Sequence, residues 1–342
     1  MRKGFASIAV VGVAACIAVY ALTQQPQSSS LYTALSADEM EFLKFVSLHG
    51  KSYGTKEEFE FRSQIFKTTL AKLQSENSRN ENTFRLALNK FADWTPSELK
   101  RMLSYRPLGG SKKFAAIENV SLPTSVDWRD KNAVNVVRDQ GQCGSCWAFS
   151  AVGAMESRSY IRGIDKMGLL QLSEQQLVDC AGGSYGNEGC NGGDMGAAFD
   201  YAKDYAMMNR TDYPYTAQDG TCAYDGNKVT KVKPSDKTYV TPNSAVALKT
   251  AIADGPVSVA IEADTFVFQF YSGGILNSAA CGTNLDHGVV AIGYGVDQTK
   301  GEYYIVRNSW GASWGLRGYI NIAIKDGQGI CGIQMEPVYP DF

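Results

Sequence analysis

Histidine is nearly absent from this chain of 342 residues, which holds His49 and His287 and no other. Any chemistry that needs an imidazole therefore has few places to occur. Neither sign of charge dominates: the formal net charge is −2, and there is no long basic run and no acidic tail. That excludes the electrostatic footprint of a nucleic-acid binder. Long apolar runs are missing too, apart from the uncharged stretch 4–23 behind Arg2 and Lys3. With Val19-Tyr20-Ala21 as a cleavage site, that stretch reads as a secretory signal over residues 1–21. An uncleaved anchor is the alternative, although Ala, Gly and Cys dilute its hydrophobicity. A second C-x-x-C is lacking as well. A zinc site built on Cys143-Gly-Ser-Cys146 would have to be completed by His287 and an isolated cysteine, so neither a metal nor a cofactor is expected.

What is present is the composition of a globular protein, 44% apolar and 20% charged, long enough for two domains or for one domain with processed extensions. Of eight cysteines, Cys16 lies in the signal. The seven others, at 143, 146, 180, 190, 222, 281 and 331, make an odd number. In an oxidising compartment that leaves one thiol over, most simply beside three disulfides, whose connectivity spacing alone does not choose.

Ser36-Ala-Asp-Glu39 and Thr55-Lys-Glu-Glu58 each read as a capping box that opens a helix. The first helix runs to about Leu48. The second places Phe59, Phe66, Leu70 and Leu73 on one face. Phe84, Leu86 and Leu88 alternate as in a strand, and Thr95-Pro-Ser-Glu98 starts a third helix. Residues 106–121 read as an exposed linker. Helices are expected over about 146–162 and 173–179. Strands follow at Val257–Ile261, Val289–Tyr294, Tyr303–Arg307 and Tyr319–Ile324. Helices first and strands later point to an α+β protein with two lobes.

Three motifs carry chemistry. Cys146 sits in Gln140-Gly-Gln-Cys-Gly-Ser-Cys-Trp-Ala-Phe-Ser150, His287 in Asn284-Leu-Asp-His-Gly288, and Asn308 in Arg307-Asn-Ser-Trp-Gly311. A thiol becomes a strong nucleophile near neutrality when a partner takes its proton, and His287 is the one realistic partner. A cysteine in this local setting with His and Asn far downstream resembles the papain-like cysteine proteases, most closely their cathepsin L-like branch.

The resemblance implies a papain-like fold, a helical lobe plus a β-barrel-like lobe preceded by a helical propeptide, with the cysteine and histidine meeting across the cleft. It implies Cys146 as nucleophile, His287 as acid and base, Asn308 as its orienting partner and Trp310 as their shield. Gln140 would hold the oxyanion together with the Cys146 N–H. The disulfides would be Cys143–Cys190, Cys180–Cys222 and Cys281–Cys331. Gly192, Gly193, Met195, Ala260, Leu285 and Asp286 would bind substrate, with Asp194 at the rim of the S2 pocket and Glu336 at its floor. An apolar S2 that also takes Arg follows, unless Glu336 swings out to solvent. No insertion after Cys190 is long enough for a cathepsin B-type occluding loop, which favours endopeptidase activity.

Residues 22–121 are similar to the family's inhibitory propeptide. Glu58, Arg62, Phe66 and Asn77 carry its helix pattern, with Thr69 and Leu73 where Asn and Ile are usual. Asn89, Phe91 and Asp93 carry the next motif, with Ala87 in place of its glycine. The mature enzyme would span 122–342, released by acid through a cut near 115–122. Its partners would be protein and peptide substrates, its own propeptide and cystatin-like inhibitors, and it would act as a monomer. An acidic, lysosome-like compartment or the exterior is the expected location. Asn119-Val-Ser and Asn209-Arg-Thr are candidate glycan sites. The reading from a different class is a silent relative or a propeptide-type inhibitor, against which the presence of Gln140, Cys146, His287 and Asn308 argues.

Overall fold

The computed structural model describes residues 35–109, 112–115 and 121–342. The signal, Cys16, Asn119 and the junction at 116–120 lie outside the described residues. The chain divides into two compact units, residues 1–50 and 51–342.

In the first unit, helix α1 (Ala37–Leu48) opens on a reciprocal cap. Ser36 Oγ accepts from the Glu39 N–H at 3.3 Å, and the Glu39 carboxylate accepts from the Ser36 N–H at 2.8 Å. Two of the N–H groups that a helix start leaves unsatisfied are thereby satisfied.

The second unit begins with α2 (Lys56–Asn77), capped by Thr55 Oγ1 on the Glu58 N–H. Its buried stripe is Phe66, Thr69 and Leu73; Phe59 and Leu70 are only half-buried. Asn77 closes the end of the helix onto strand β1 (Phe84–Leu86), exchanging hydrogen bonds of 2.7 and 3.0 Å with the Leu86 backbone. Short α3 (Pro96–Lys100) has Pro at its first turn and a capping box between Thr95 and Glu98. Glu98 also receives both terminal nitrogens of Arg62 at 2.7 Å, a bidentate pair that ties α3 to α2. That pairing holds the Glu98 carboxyl down at about 2.

The centre of the unit is α4 (Cys146–Ile161), buried continuously from Cys146 to Ser159. A helix buried on every side needs neighbours on every side. It has α5 (Glu174–Cys180) and α6 (Met195–Asp204) on one flank and a β-sheet on the other. Small residues permit the approach to the sheet. Ser150 Oγ donates to Val289 O at 2.7 Å, and a Cβ on Gly153 would stand 2.0 Å from Arg307 Nη2.

The sheet is antiparallel, ordered β3 (Asp236–Tyr239), β9 (Val338–Asp341), β4 (Val257–Ile261), β6 (His287–Asp297), β7 (Gly301–Arg307), β8 (Tyr319–Ala323), with β2 (Val126–Asp127) also on β6. Separately, β1 pairs with β5 (Tyr271–Gly274), so the N-terminal segment is stitched to the second half of the chain. Pairing of Ile261 with His287 puts the histidine at the first position of β6; β7 ends at Arg307, immediately before Asn308.

The α+β class holds, but the order of elements is less simple than helices first and strands later. α6, the edge strand β3 and its neighbour β9 were not anticipated. Nor was α7 (Ala245–Asp254), which lies between β3 and β4 in the chain. Among its described residues the stretch 106–121 is exposed or half-buried, as expected of an exposed linker, but its backbone is paired. Tyr239 N donates to Lys113 O at 2.9 Å and Ala115 N to Tyr239 O at 2.8 Å, while Arg106 N donates to Gly193 O at 2.9 Å. Polar, glycine-containing sequence implied solvent exposure. Edge strand β3, however, offers unpaired backbone groups that can recruit any extended segment.

Disulfides join Cys143 to Cys190, Cys180 to Cys222 and Cys281 to Cys331; among the described residues Cys146 is the free cysteine.

Candidate active site

Cys146 occupies the first turn of α4. Ser145 before it provides no side-chain cap, because its hydroxyl pairs with Tyr215 Oη at 2.6 Å. The positive end of the helix is thus left facing the sulfur. Cys146 is fully buried, and burial pushes its thiol up. Backbone N–H groups of Gly288, Ser104 and Trp147 lie near enough to oppose that rise, while the Asp286 charge adds to it. Gly288 packs against the Cys146 backbone, a Cβ on it standing 3.4 Å from Cys146 O, so the start of β6, where His287 lies, meets the start of α4.

His287 is buried, and its Nε2 lies 2.8 Å from Asn308 Oδ1. That oxygen also accepts from the Ser309 N–H at 2.7 Å, so the imidazole donates through Nε2 and its neutral form leaves Nδ1 as the free base. Nδ1 is buried without a hydrogen-bond partner among the described residues. Burial holds the imidazole down at about 4, partly offset by the bond to Asn308. Trp310 covers the pair, its ring centre 5.0 Å from that of His287. Phe268, Trp314 and Phe91 meet Trp310 at 5.4, 5.3 and 5.1 Å.

Gln140 is buried with its amide fixed at both ends. Oε1 accepts from Ser309 Oγ at 2.6 Å, and Nε2 donates at 2.9 Å to Cys143 O and to Met102 O. The second acceptor belongs to a stretch of chain that crosses the site. Ser104 lies beside Cys146, and Ser104 O accepts from Gly193 N at 3.1 Å. Tyr105 N donates to Asp286 O at 2.9 Å, and Arg106 N to Gly193 O. Gly192, at φ +125°, must be a glycine here, since a Cβ would fall 2.3 Å from Ser104 O.

The Tyr105 side chain packs in one apolar cluster with Met195, Ala260 and Leu285. Its hydroxyl meets Asp194, and Glu336 is close enough to act on it. Asp194 is buried in the precursor and caps α6, its Oδ1 accepting from the Ala197 N–H at 3.0 Å. Glu336 pairs with Lys112 at 2.5 Å. Asp286 holds the Ala263 and Asp264 N–H groups, yet burial pushes its carboxyl up to about 7. Asn209 lies away from these groups, half-buried in a bridge with Leu172. The roles of Met102, Ser104, Tyr105 and Lys112 had no local signal. Each depends on hydrogen bonds to residues far along the chain.

A thiol at a helix start, an imidazole held by an asparagine and an amide donor beside them can act together in acyl transfer. Comparison with known proteins agrees. Residues 122–341 match the papain family cysteine protease model, and residues 42–99 match the cathepsin propeptide inhibitor domain (I29). The chain belongs to the papain family of cysteine proteases. It is 40% identical to digestive cysteine proteinase 3 of Homarus americanus, over 90% of this chain and 96% of that protein. With the KDEL-tailed cysteine endopeptidase CEP2 of Arabidopsis thaliana it shares 45%, over 83% and 80%. The solved digestive procathepsin L 3 of Tenebrio molitor larval midgut superposes with a TM-score of 0.81 at 37% identity, covering 90% of this chain and all of that one. The protein is thus a papain-like cysteine endopeptidase with a papain-like fold, made as a precursor that carries its propeptide. Among the described residues no helix is long and apolar enough to cross a membrane.

Proposed function

We propose that Cys146 and His287 are the reacting pair of this endopeptidase. The thiol passes its proton to His287, and the thiolate attacks the carbonyl carbon of the scissile bond. Charge developing on the carbonyl oxygen is held by the Cys146 N–H and Gln140 Nε2; losing one such donor typically costs ~10²–10³ in rate. The imidazolium then protonates the leaving amine. A thioester remains, and His287 deprotonates the water that hydrolyses it. Asn308 keeps the ring oriented under Trp310, where exclusion of water strengthens the bond between them.

The observation that carries this reading is that a peptide backbone already lies on these groups, with Met102 O at Gln140 Nε2 and Ser104 beside Cys146. Residues 22–121 would be the propeptide and 122–342 the mature enzyme, freed in an acidic compartment or after secretion. The S2 pocket, around the position now held by Tyr105, would take an apolar residue and, through Glu336, also Arg.

The test is labelling by an epoxide thiol inhibitor after acid activation. One equivalent on Cys146 is expected, and label elsewhere or none refutes the assignment. A Cys146→Ala precursor should persist uncut at acidic pH when purified alone; self-processing of that variant would refute the autocatalytic route.

A further inference from the structure

Two carboxylates of the 122–342 segment each receive a lysine from the segment proposed as propeptide. Toward S2 the pair is Lys112 with Glu336. The other pair is Lys90 with Asp139, Nζ lying 2.5 Å from Oδ2. Asp139 immediately precedes Gln140 and bridges through its backbone to Trp310. Its Oδ1 is occupied by the Gly141 N–H at 2.9 Å, which fixes the carboxylate and leaves Oδ2 for a ligand. The side chain is 44% exposed even with Lys90 in place. Beside it, in the precursor, opens a pocket walled by Gly141, Gln142 and Tyr215 of the enzyme part and by Trp94 and Met102 of the segment proposed as propeptide. Phe91, next to Lys90, meets Trp310 edge-on, so Lys90 is delivered by an anchored turn.

We infer that Asp139 forms an acidic subsite on the leaving-group side of the scissile bond, which selects substrates with Lys or Arg at P1′ or P2′. The side follows from the chemistry. His287 must hand its proton to the leaving amine, and Trp310 covers His287, so residues after the scissile bond lie toward Trp310 and Asp139. Gly193 and the Tyr105 pocket lie toward the acyl half. Lys90 thus occupies in the precursor the place a basic substrate residue takes in the mature enzyme. This inference rests on Cys146 and His287 being the reacting pair.

The experiment uses acid-activated enzyme and quenched-fluorescence peptides that share the acyl side, with Phe at P2, and carry Lys, Leu or Glu at P1′ and P2′. An ion pair of this exposure is worth about a fivefold preference in kcat/KM for Lys over Leu, with Glu below Leu. The preference should shrink in about 0.5 M salt. In Asp139→Asn, which keeps the acceptor for the Gly141 N–H, the Lys/Leu ratio should fall to about one, with the Leu peptide as reference within each enzyme. Asp139→Lys should invert the order in favour of Glu. A wild-type ratio of one, or a ratio unchanged in Asp139→Asn, overturns the inference. A coumarylamide substrate, which has no residue after the scissile bond, separates the two failures. If wild type does not turn it over, the reacting pair is wrong; if it does, and Lys is not preferred, Asp139 alone is.

Discussion

The carbonyl oxygen of Met102 accepts a 2.9 Å hydrogen bond from Nε2 of Gln140, the group proposed to receive the oxyanion of a substrate. The precursor's own chain therefore uses the donor that catalysis needs. Two residues on, Ser104 lies beside Cys146, its backbone N–H opposing the rise of the thiol. Occupation and electrostatics act in the same direction. Burial pushes the thiol up and holds His287 down at about 4, so both groups stay neutral beneath the covering segment.

The thiol of the precursor should accordingly be unreactive. With access blocked and the thiolate disfavoured, alkylation of Cys146 by a small neutral haloacetamide at pH 7 should be at least about tenfold slower in the precursor than in the acid-activated enzyme. Peptide mapping of the modified cysteine over time reads the rate. Equal rates in the two forms would contradict an occupied cleft.

Acid should act on the precursor through two adjacent residues in opposite directions. His287 titrates at about 4 when buried and near 6.5 when the chain is unfolded, so between those values the unfolded state binds more protons. Its contribution to stability is therefore lost as pH falls through that window, on the order of 2 kcal/mol between pH 6.5 and 4.5. Asp286 is raised to about 7, so the folded state binds more protons from there down to about 4, and acidification stabilises. In a Cys146→Ala precursor, thermal midpoints at pH 6.5 and 4.5 separate the two. Adding His287→Asn should reduce the loss on acidification, and adding Asp286→Asn should increase it. Glu98, held at about 2 by Arg62, stays ionised in the folded state throughout this range and adds to the loss only near pH 4.5, where the unfolded carboxyl begins to take up protons.

Much of the site was legible because its signals are local. Gln140 through Ser150 carry their turn, disulfide cysteine and helix start within one stretch, and Asn308-Ser-Trp310 is equally compact. The helix caps at Ser36, Thr55, Thr95 and Ser173 were readable for the same reason: a cap is a matter of three or four consecutive residues. What escaped depends on distant partners. α6 is an exception, since Asp194 caps it and Met195, Ala198, Phe199 and Ala202 fall at helical spacing, a signal that could have been used. α7 did carry a cap at Ser244 ahead of an alanine-rich run, a signal strong enough to have been used. Residues 102–106 have no periodicity at all. Their conformation comes from Gln140, Gly193 and Asp286, and only the folded cleft supplies those.

The acid in S2 leads to the last prediction. Two carboxylates were expected to attract a P2 guanidinium, but they are not equivalent. Asp194 is buried, burial pushes its carboxyl up, and one of its oxygens is committed to capping α6. Glu336 is only partly covered and already binds a cation, Lys112, beside the ring of Tyr239 at 5.1 Å. Guanidinium recognition should therefore rest on Glu336, with the apolar wall of Met195, Ala260 and Leu285 serving P2-Phe. Replacing Glu336 by Ala should lower kcat/KM for P2-Arg peptides about tenfold or more, by loss of a charge-assisted pair, and leave P2-Phe peptides within about twofold. The readout is the Arg/Phe ratio in wild type and variant, measured on peptides identical elsewhere. If that ratio does not move, Glu336 points away from the substrate and the pocket is apolar in function as well as in lining.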